Sequence, residues 1–273
     1  MIYEKAHAKI NLVLDVNRKR EDGYHDLKMI MIPIDLHDEL TFKKHPEIQL
    51  SSDIEIKDNA IIKTACFIKD KYQVKDGVHI TLKKRIPIGA GLAGGSADIA
   101  ATIRGLNQLW NLNLENKELE EIALSLGSDT LFCLYERPAY VYGRGEHIEF
   151  LESPMIQNVY LFCPDIHVST AQVFKHHVIE AHQSRFDQLL DLYKSKSWPT
   201  FYQSLYNDLL KTTFMCYPEL KSIYQDLKEV DEHIMMSGSG STFFMVNSNL
   251  NIPKMVKKAQ KMGVKLIKTS IKT

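Results

Sequence analysis

The sequence predicts an α+β fold in two lobes, residues 1–153 and 154–273, and three observations carry that expectation. The chain has 273 residues, beyond the commonest size of a single domain, so two lobes sharing a cleft is the natural arrangement. Its strand-like runs do not alternate regularly with helical ones, which argues against a doubly wound parallel sheet. Ser153-Pro154 interrupts the chain between two halves that each mix both kinds of element, and is the expected joint.

The elements follow in order. Ile10–Val16 is a short apolar run, Gly23 marks a turn, and Met29–Ile34 is a second apolar run. Val78–Leu82 alternates as a strand, with His79 and Thr81 on one face, and leads through Lys83-Lys84-Arg85 to Ile86-Pro87. A glycine-rich segment comes next. Ala97–Leu109 is rich in helix formers with apolar residues at helical spacing, and Glu115–Leu126 reads as a helix closed by Gly127 as its C-cap. Val141–Leu151 reads as a hairpin turning at Gly143-Arg144-Gly145. Val159–Cys163 opens the second half, with helices near 170–181, 184–195 and 199–212. A strand pair at 234–236 and 243–246 flanks Ser237-Gly238-Ser239-Gly240. The last twenty residues hold seven lysines, which fit the solvated face of a helix over Pro253–Lys261 plus an edge strand better than a nucleic-acid arm.

Composition narrows the function. A hydrophobic fraction of 44% and a charged fraction of 25% are those of an ordinary globular protein. Thirty-four basic residues balance thirty-four acidic ones, so no net field attracts nucleic acid or anionic lipid. Cys66, Cys133, Cys163 and Cys216 lie far apart without paired spacing, as reduced thiols of a cytosolic protein do. No eighteen-residue apolar run occurs, and Glu4, Lys5, His7 and Lys9 interrupt any leader-like segment, so a cytoplasmic location is expected. The expected partner is a small-molecule substrate, with no nucleic acid and no membrane, and the chain a monomer or weak homodimer. His176, His177 and His182 have no nearby Cys or acid to complete a metal ligand set; a solvent-facing helix is expected there, and no metal site.

Gly89-Ala90-Gly91-Leu92-Ala93-Gly94-Gly95-Ser96 lies between a predicted strand and a predicted helix. Glycines permit positive φ and close backbone approach, so successive N–H groups can converge on an anion at the positive end of the following helix. The segment also fits a dinucleotide fingerprint, but that motif needs a parallel strand ending in an acid about twenty residues on. Asn107–Leu114 and a new helix stand there instead. A Walker loop needs Gly-Lys-Ser/Thr, and Gly94-Gly95-Ser96 has no lysine. A glycine-rich connection without ligand is the remaining alternative.

Pro87-Ile88-Gly89-Ala90-Gly91-Leu92-Ala93-Gly94-Gly95-Ser96-Ala97-Asp98 resembles the phosphate-binding motif of the galactokinase, homoserine kinase, mevalonate kinase and phosphomevalonate kinase (GHMP) superfamily. Ala8-Lys9-Ile10-Asn11-Leu12 with Asp22-Gly23-Tyr24-His25 resembles an N-terminal signature found there, in the branch that phosphorylates a cytidine-diphosphate-linked methylerythritol. Leu126-Gly127-Ser128-Asp129 resembles that branch's catalytic aspartate segment, and Gly143-Arg144-Gly145-Glu146 the hairpin after it. Met236-Ser237-Gly238-Ser239-Gly240-Ser241-Thr242-Phe243 resembles its C-terminal glycine motif. The matches run in order from residue 8 to residue 244.

The resemblance implies the two-domain α+β GHMP-kinase architecture, with a ribosomal-protein S5 domain 2-like N-terminal lobe and a ferredoxin-like C-terminal lobe. It implies ATP as phosphoryl donor, with Mg2+ carried by the nucleotide. Lys9 and Asp129 become the catalytic pair, Asp129 as base with Lys9 beside it; a cation favours the ionised carboxylate and the developing charge. Pro87, Ile88, Gly89, Ala90, Gly91, Leu92, Ala93, Gly94, Gly95, Ser96 and Ala97 become the phosphate turn, with Asn59 and Lys84 near the adenine and the phosphates. Asn11, Tyr24, His25, Phe174, Gly238 and Ser239 become substrate contacts, Phe174 stacking on the cytosine.

The chain departs from the pattern at three places. Thr130-Leu131 follows Asp129 where a hydrophobic residue and proline are usual, Ala93 replaces a glycine, and Ala97 replaces a serine. A positive φ at Ala93 costs about 1–2 kcal/mol. Two further functions stay open: a superfamily kinase for another small alcohol, and a silent nucleotide-binding module.

Overall fold

The structure, a computed structural model, describes residues 1–56, 58–179, 184–246 and 252–272. Two strands begin the chain, β1 (Ile2–Lys19) and β2 (His25–His45), neighbours in one sheet. Both are much longer than the apolar runs at 10–16 and 29–34, because polar residues on the exposed ends extend the ladder beyond the buried centre. Contacts divide the chain into two compact units: Met1–Ala8, Leu36–Pro87 and Ala93–Glu136 in the first, and Lys9–Asp35, Ile88–Leu92 and Arg137–Thr273 in the second. β1 and β2 each contribute to both, so the units exchange chain within strands and at the glycine-rich turn rather than at 153/154. Residues 151–158 themselves carry no regular element.

The first unit adds β3 (Ile48–Ser52), α1 (Ala60–Lys71), β4 (Gly77–Lys83), α2 (Gly94–Leu109), α3 (Asn116–Leu126) and α4 (Thr130–Tyr135). The last part of β2 pairs antiparallel with β4, from Glu39↔Lys83 to His45↔Gly77, and β3 pairs parallel with β4. Ile61, Ala65 and Ile68 of α1 and Ile99, Ile103 and Leu106 of α2 are buried at helical spacing. Phe42 from the sheet is fully buried as well, a burial that stabilises by roughly 1.5–3 kcal/mol. It packs where α2 carries Gly105: a Cβ there would meet Phe42 at 2.4 Å. α3 starts with a capping box between Glu115 and Glu118 and ends at Gly127 as predicted, with Gly127 in extended backbone.

The second unit adds β5 (Ala139–Gly143), β6 (His147–Phe150), β7 (Val159–Cys163), α5 (Thr170–His176), α6 (Phe186–Lys194), α7 (Trp198–Gln203) and β8 (Tyr206–Asn207). Then come α8 (Leu209–Cys216), α9 (Pro218–Lys228), β9 (Met235–Met236), β10 (Phe243–Val246), α10 (Ile252–Lys261) and β11 (Lys265–Thr269). The predicted hairpin is β5–β6, with Tyr142↔His147 beside the turn, and β5 pairs with β2 over Leu27–Met31. A four-stranded sheet runs β11-β7-β10-β9, all pairs antiparallel; in chain order this is 4-1-3-2, the ferredoxin-like arrangement. β11 is an edge strand, and Lys265 and Lys268 lie on it.

Two helix predictions need correction. Residues 199–212 do not form one helix: α7 stops at Ser204, Tyr206-Asn207 pairs parallel with Val13-Leu14 of β1, and α8 begins at Leu209. The Asn207 side chain donates to the carbonyls of Met236 and Gly238, both at 2.8 Å, and these long-range bonds override local helix propensity. The helix expected over 170–181 ends at His176, with His177 extended as its C-cap, and 180–181 lie outside the described residues. Among the described residues no helix is long and apolar enough to cross a membrane.

Candidate active site

Within the second unit, Lys9 and Asn11 stand two residues apart on β1 and therefore on one face of it. Both are nearly fully buried, and Lys9 Nζ donates to Asn11 Oδ1 at 2.6 Å. The same ammonium donates to the Gly91 carbonyl at 3.1 Å, and Ser237 Oγ donates to that carbonyl at 2.9 Å. Gly89 and Gly91 have φ of +63° and +74°. A Cβ at Gly91 would lie 2.1 Å from the Ser237 carbonyl oxygen, and one at Gly238 would lie 3.3 Å from Lys9 Nζ. The turn is fastened further by Lys9 N to Leu92 O at 3.1 Å, Thr242 N to Ala90 O at 3.2 Å and Val168 N to Gly89 O at 3.1 Å. Three motifs distant in sequence thus meet around one buried cation. Ser239 turns its hydroxyl to Thr170 Oγ1 at 2.8 Å, engaging the start of α5.

A second cluster in this unit is aromatic. Gly23 takes φ +85°, and Asp22 Oδ1 accepts from Tyr24 N at 3.1 Å, which leaves the Tyr24 ring half in solvent. His25, buried, faces Phe174 at 5.2 Å between ring centroids and 31° between planes. Burial, with the Lys19 charge adding to it, holds the His25 imidazole below its usual pKa, so the ring is neutral at pH 7 and offers one donor and one acceptor.

Two members of this cluster went unread in the sequence. His177 stands edge-on to His25 at 6.2 Å and bonds Thr212 Oγ1 at 2.9 Å, so it turns inward rather than to solvent. His176 is exposed as expected, with its ring nitrogen 2.9 Å from Gln172 O, and His182 lies outside the described residues. The Arg144 guanidinium stacks over Tyr24 at 5.3 Å. Phe174 and His177, three apart at a helix end, were the available signal for the first; the second had none.

Within the first unit, the turn continues into α2. Ala93 is the N-cap, at φ +56° and ψ +28°, so the strained conformation foreseen at this position is present. With no capping side chain and no acid in the first turn, the leading amides of α2 are left for an anion. Ala93→Gly removes a left-handed strain of about 1–2 kcal/mol and adds about 0.4–1 kcal/mol of unfolded-state entropy. A net gain of about 0.5–1 kcal/mol is expected, read as a Tm rise of roughly 1–3 °C by calorimetry; a lower Tm contradicts the left-handed cap.

Lys84 lies behind this helix start: a Cβ at Gly94 would be 3.2 Å from its Nζ. The ammonium is held by Asp38 at 2.5 Å and Asp98 at 2.6 Å. Asn59 caps α1, its Oδ1 accepting from Ile61 N at 2.9 Å. Asp129, half-buried, is the N-cap residue of α4, and its side chain makes no capping bond to that helix. Thr130 is fully buried, and its hydroxyl has no hydrogen-bond partner.

Residues 59–137 match the family model described as GHMP kinases N terminal domain. The chain is 43% identical over 251 residues to the 4-diphosphocytidyl-2-C-methyl-D-erythritol kinase of Bacillus subtilis (strain 168), covering 89% of this chain and 87% of that protein. It is 44% identical over 248 residues to the protein of that name from Bacillus cereus (strain B4264), covering 88% and 86%. The solved crystal structure of a 4-(cytidine 5'-diphospho)-2C-methyl-D-erythritol kinase superposes over 100% of both chains with a TM-score of 0.80 and 28% identity. The fold, the ordered motifs and these likenesses agree: the chain belongs to the 4-diphosphocytidyl-2-C-methyl-D-erythritol kinase family of the GHMP kinases.

Proposed function

We propose that this protein is an ATP-dependent kinase that phosphorylates the 2-hydroxyl of 4-diphosphocytidyl-2-C-methyl-D-erythritol, a step of non-mevalonate isoprenoid precursor synthesis. The observation that carries the reading is the convergence of Lys9, Asn11, the Gly91 carbonyl and Ser237-Gly238 around one buried ammonium. Phosphoryl transfer asks the protein mainly for position and for charge stabilisation. The uncapped amides at the start of α2 suit phosphates. Mg2+ brought with ATP would supply charge neutralisation for the phosphates.

Asp129 takes the proton of the attacking hydroxyl; that oxygen bonds the γ-phosphorus as the bond to the bridging oxygen breaks and ADP leaves. Lys9 favours the charge that develops, and Asn11 orients it. The neutral His25 ring and Phe174 suit a cytosine held by stacking and edge hydrogen bonds, with the half-exposed Tyr24 next to His25 in the chain. Balanced charge and scattered free thiols support a cytoplasmic enzyme acting on a free small molecule.

Coupled ADP release tests this, with the cytidylyl alcohol beside mevalonate, homoserine and galactose. ADP is expected with the first alone. Release with another alcohol only makes the protein a different superfamily kinase, and ATP binding without release makes it a silent module.

A further inference from the structure

Asp38, Lys84 and Asp98 form a buried triad in the first unit, with side chains 0%, 5% and 6% exposed. Two carboxylates share one ammonium, which leaves a net negative charge where charge is costly. The carboxylates are not equivalent. Asp38 Oδ2 accepts from Lys84 Nζ, and its Oδ1 accepts from the amides of Arg85 at 2.5 Å and Ile86 at 2.8 Å, so its charged form is well supplied with donors. Asp98 Oδ2 has Lys84, but its Oδ1 is buried with no partner. A proton entering the triad therefore settles on Asp98.

The surroundings are consistent with this. Burial raises the Asp98 pKa to about 7, with the Asp38 charge adding and Lys84 opposing. The helices packed on α2 direct their charges elsewhere: Lys63 to Asp58, Lys69 to the Lys75 carbonyl, Glu118 to Tyr72 and Glu120 to Tyr135. Asp53, Asp70, Lys71, Lys117 and Glu121 are exposed, and Asp53 accepts from the Lys84 backbone amide at 3.0 Å. Mechanically, Asp38 ties β2 to residues 84–86, the segment entering the glycine-rich turn, and Asp98 ties Lys84 to the first turns of α2.

We propose that Asp38 and Asp98 are positioning residues of the nucleotide turn, holding Lys84 against the start of α2, and that Asp98 takes up a proton from solvent as the polyphosphate arrives. The inference rests on the nucleotide reading of this turn. Phosphates at the leading amides of α2 bring further negative charge beside a triad already short of one cation, and protonating Asp98 relieves it. The sign fixes the window. Above about pH 7 free Asp98 is ionised and binding draws in a proton; well below, the proton is already present and uptake vanishes.

The test is calorimetric titration of Mg-ADP into the full chain in buffers of different ionisation enthalpy. At about pH 8 the parent is expected to take up about half a proton or more per nucleotide beyond Asp98→Asn, a difference that cancels the nucleotide's own ionisation and shrinks at about pH 6. Equal proton counts in the two proteins overturn the proposal. Should Asp98→Asn not fold, carboxyl-carbon NMR of the parent decides: an aspartate titrating near neutrality moves to higher pH with Mg-ADP, and an unmoved midpoint overturns it. Asp38→Asn is expected to weaken nucleotide binding about tenfold with kcat at saturating nucleotide within about threefold; the reverse split refutes positioning. A parent that binds no Mg-ADP removes the nucleotide reading, and this inference with it.

Discussion

Asp129→Asn is expected to lower kcat by about 10²–10⁴-fold, the usual contribution of a well-placed base, while nucleotide affinity stays within about threefold. The amide keeps the shape of the carboxylate and cannot take a proton. Because Asp129 makes no side-chain cap to α4, and Asn is itself a good N-cap, the substitution leaves helix stability intact. Kinetics of ADP release, read beside a thermal melt, separate the two roles. A kcat loss below tenfold, or a Tm that falls in step with activity, removes Asp129 from the chemistry. Lys9→Met is a companion: it keeps the apolar stem and deletes the ammonium that Asn11 and the Gly91 carbonyl share, so its loss is expected in kcat as well.

Gly91→Ala is expected to raise the KM for ATP about 10²-fold, the scale of a displacement of about 1 Å in a positioned site. The cause is geometric. The new Cβ stands 2.1 Å from the Ser237 carbonyl oxygen, a backbone atom that cannot swing aside, and the residue must also hold a φ of +74°. Left-handed strain and overpacking together cost about 3 kcal/mol, a Tm fall of roughly 6–12 °C. Gly95→Ala is the stability control from the same motif: its added Cβ meets open space, so its Tm is expected to hold or rise slightly. Equal Tm values for the two variants show that the turn does not rest on Ser237.

Much of the fold could be read beforehand where local chemistry decides it. Gly127 closes α3, Gly143-Arg144-Gly145 turns the β5–β6 hairpin, and lysines line the β11 edge. The 199–212 segment could not be read in this way. Its helix propensity is sound, yet Asn207 meets β1 and the carbonyls of Met236 and Gly238, and those bonds outweigh a few tenths of a kcal/mol per residue of propensity. His177 looked like one of three surface histidines because its partners, His25 and Thr212, lie 152 and 35 residues away.

By itself the sequence determined that residues 89–96 make a sharp glycine-rich turn into a helix and that a positive φ at Ala93 would be strained, because φ, the absence of a Cβ and the start of the next helix depend only on neighbouring residues. Tertiary structure alone decided that the Lys9 ammonium rests on the Gly91 carbonyl beside Ser237 and Gly238, and that Lys84 lies between two buried aspartates. A buried charge takes whichever partners packing brings to it, and those partners come from parts of the chain whose spacing in sequence carries no record of the meeting.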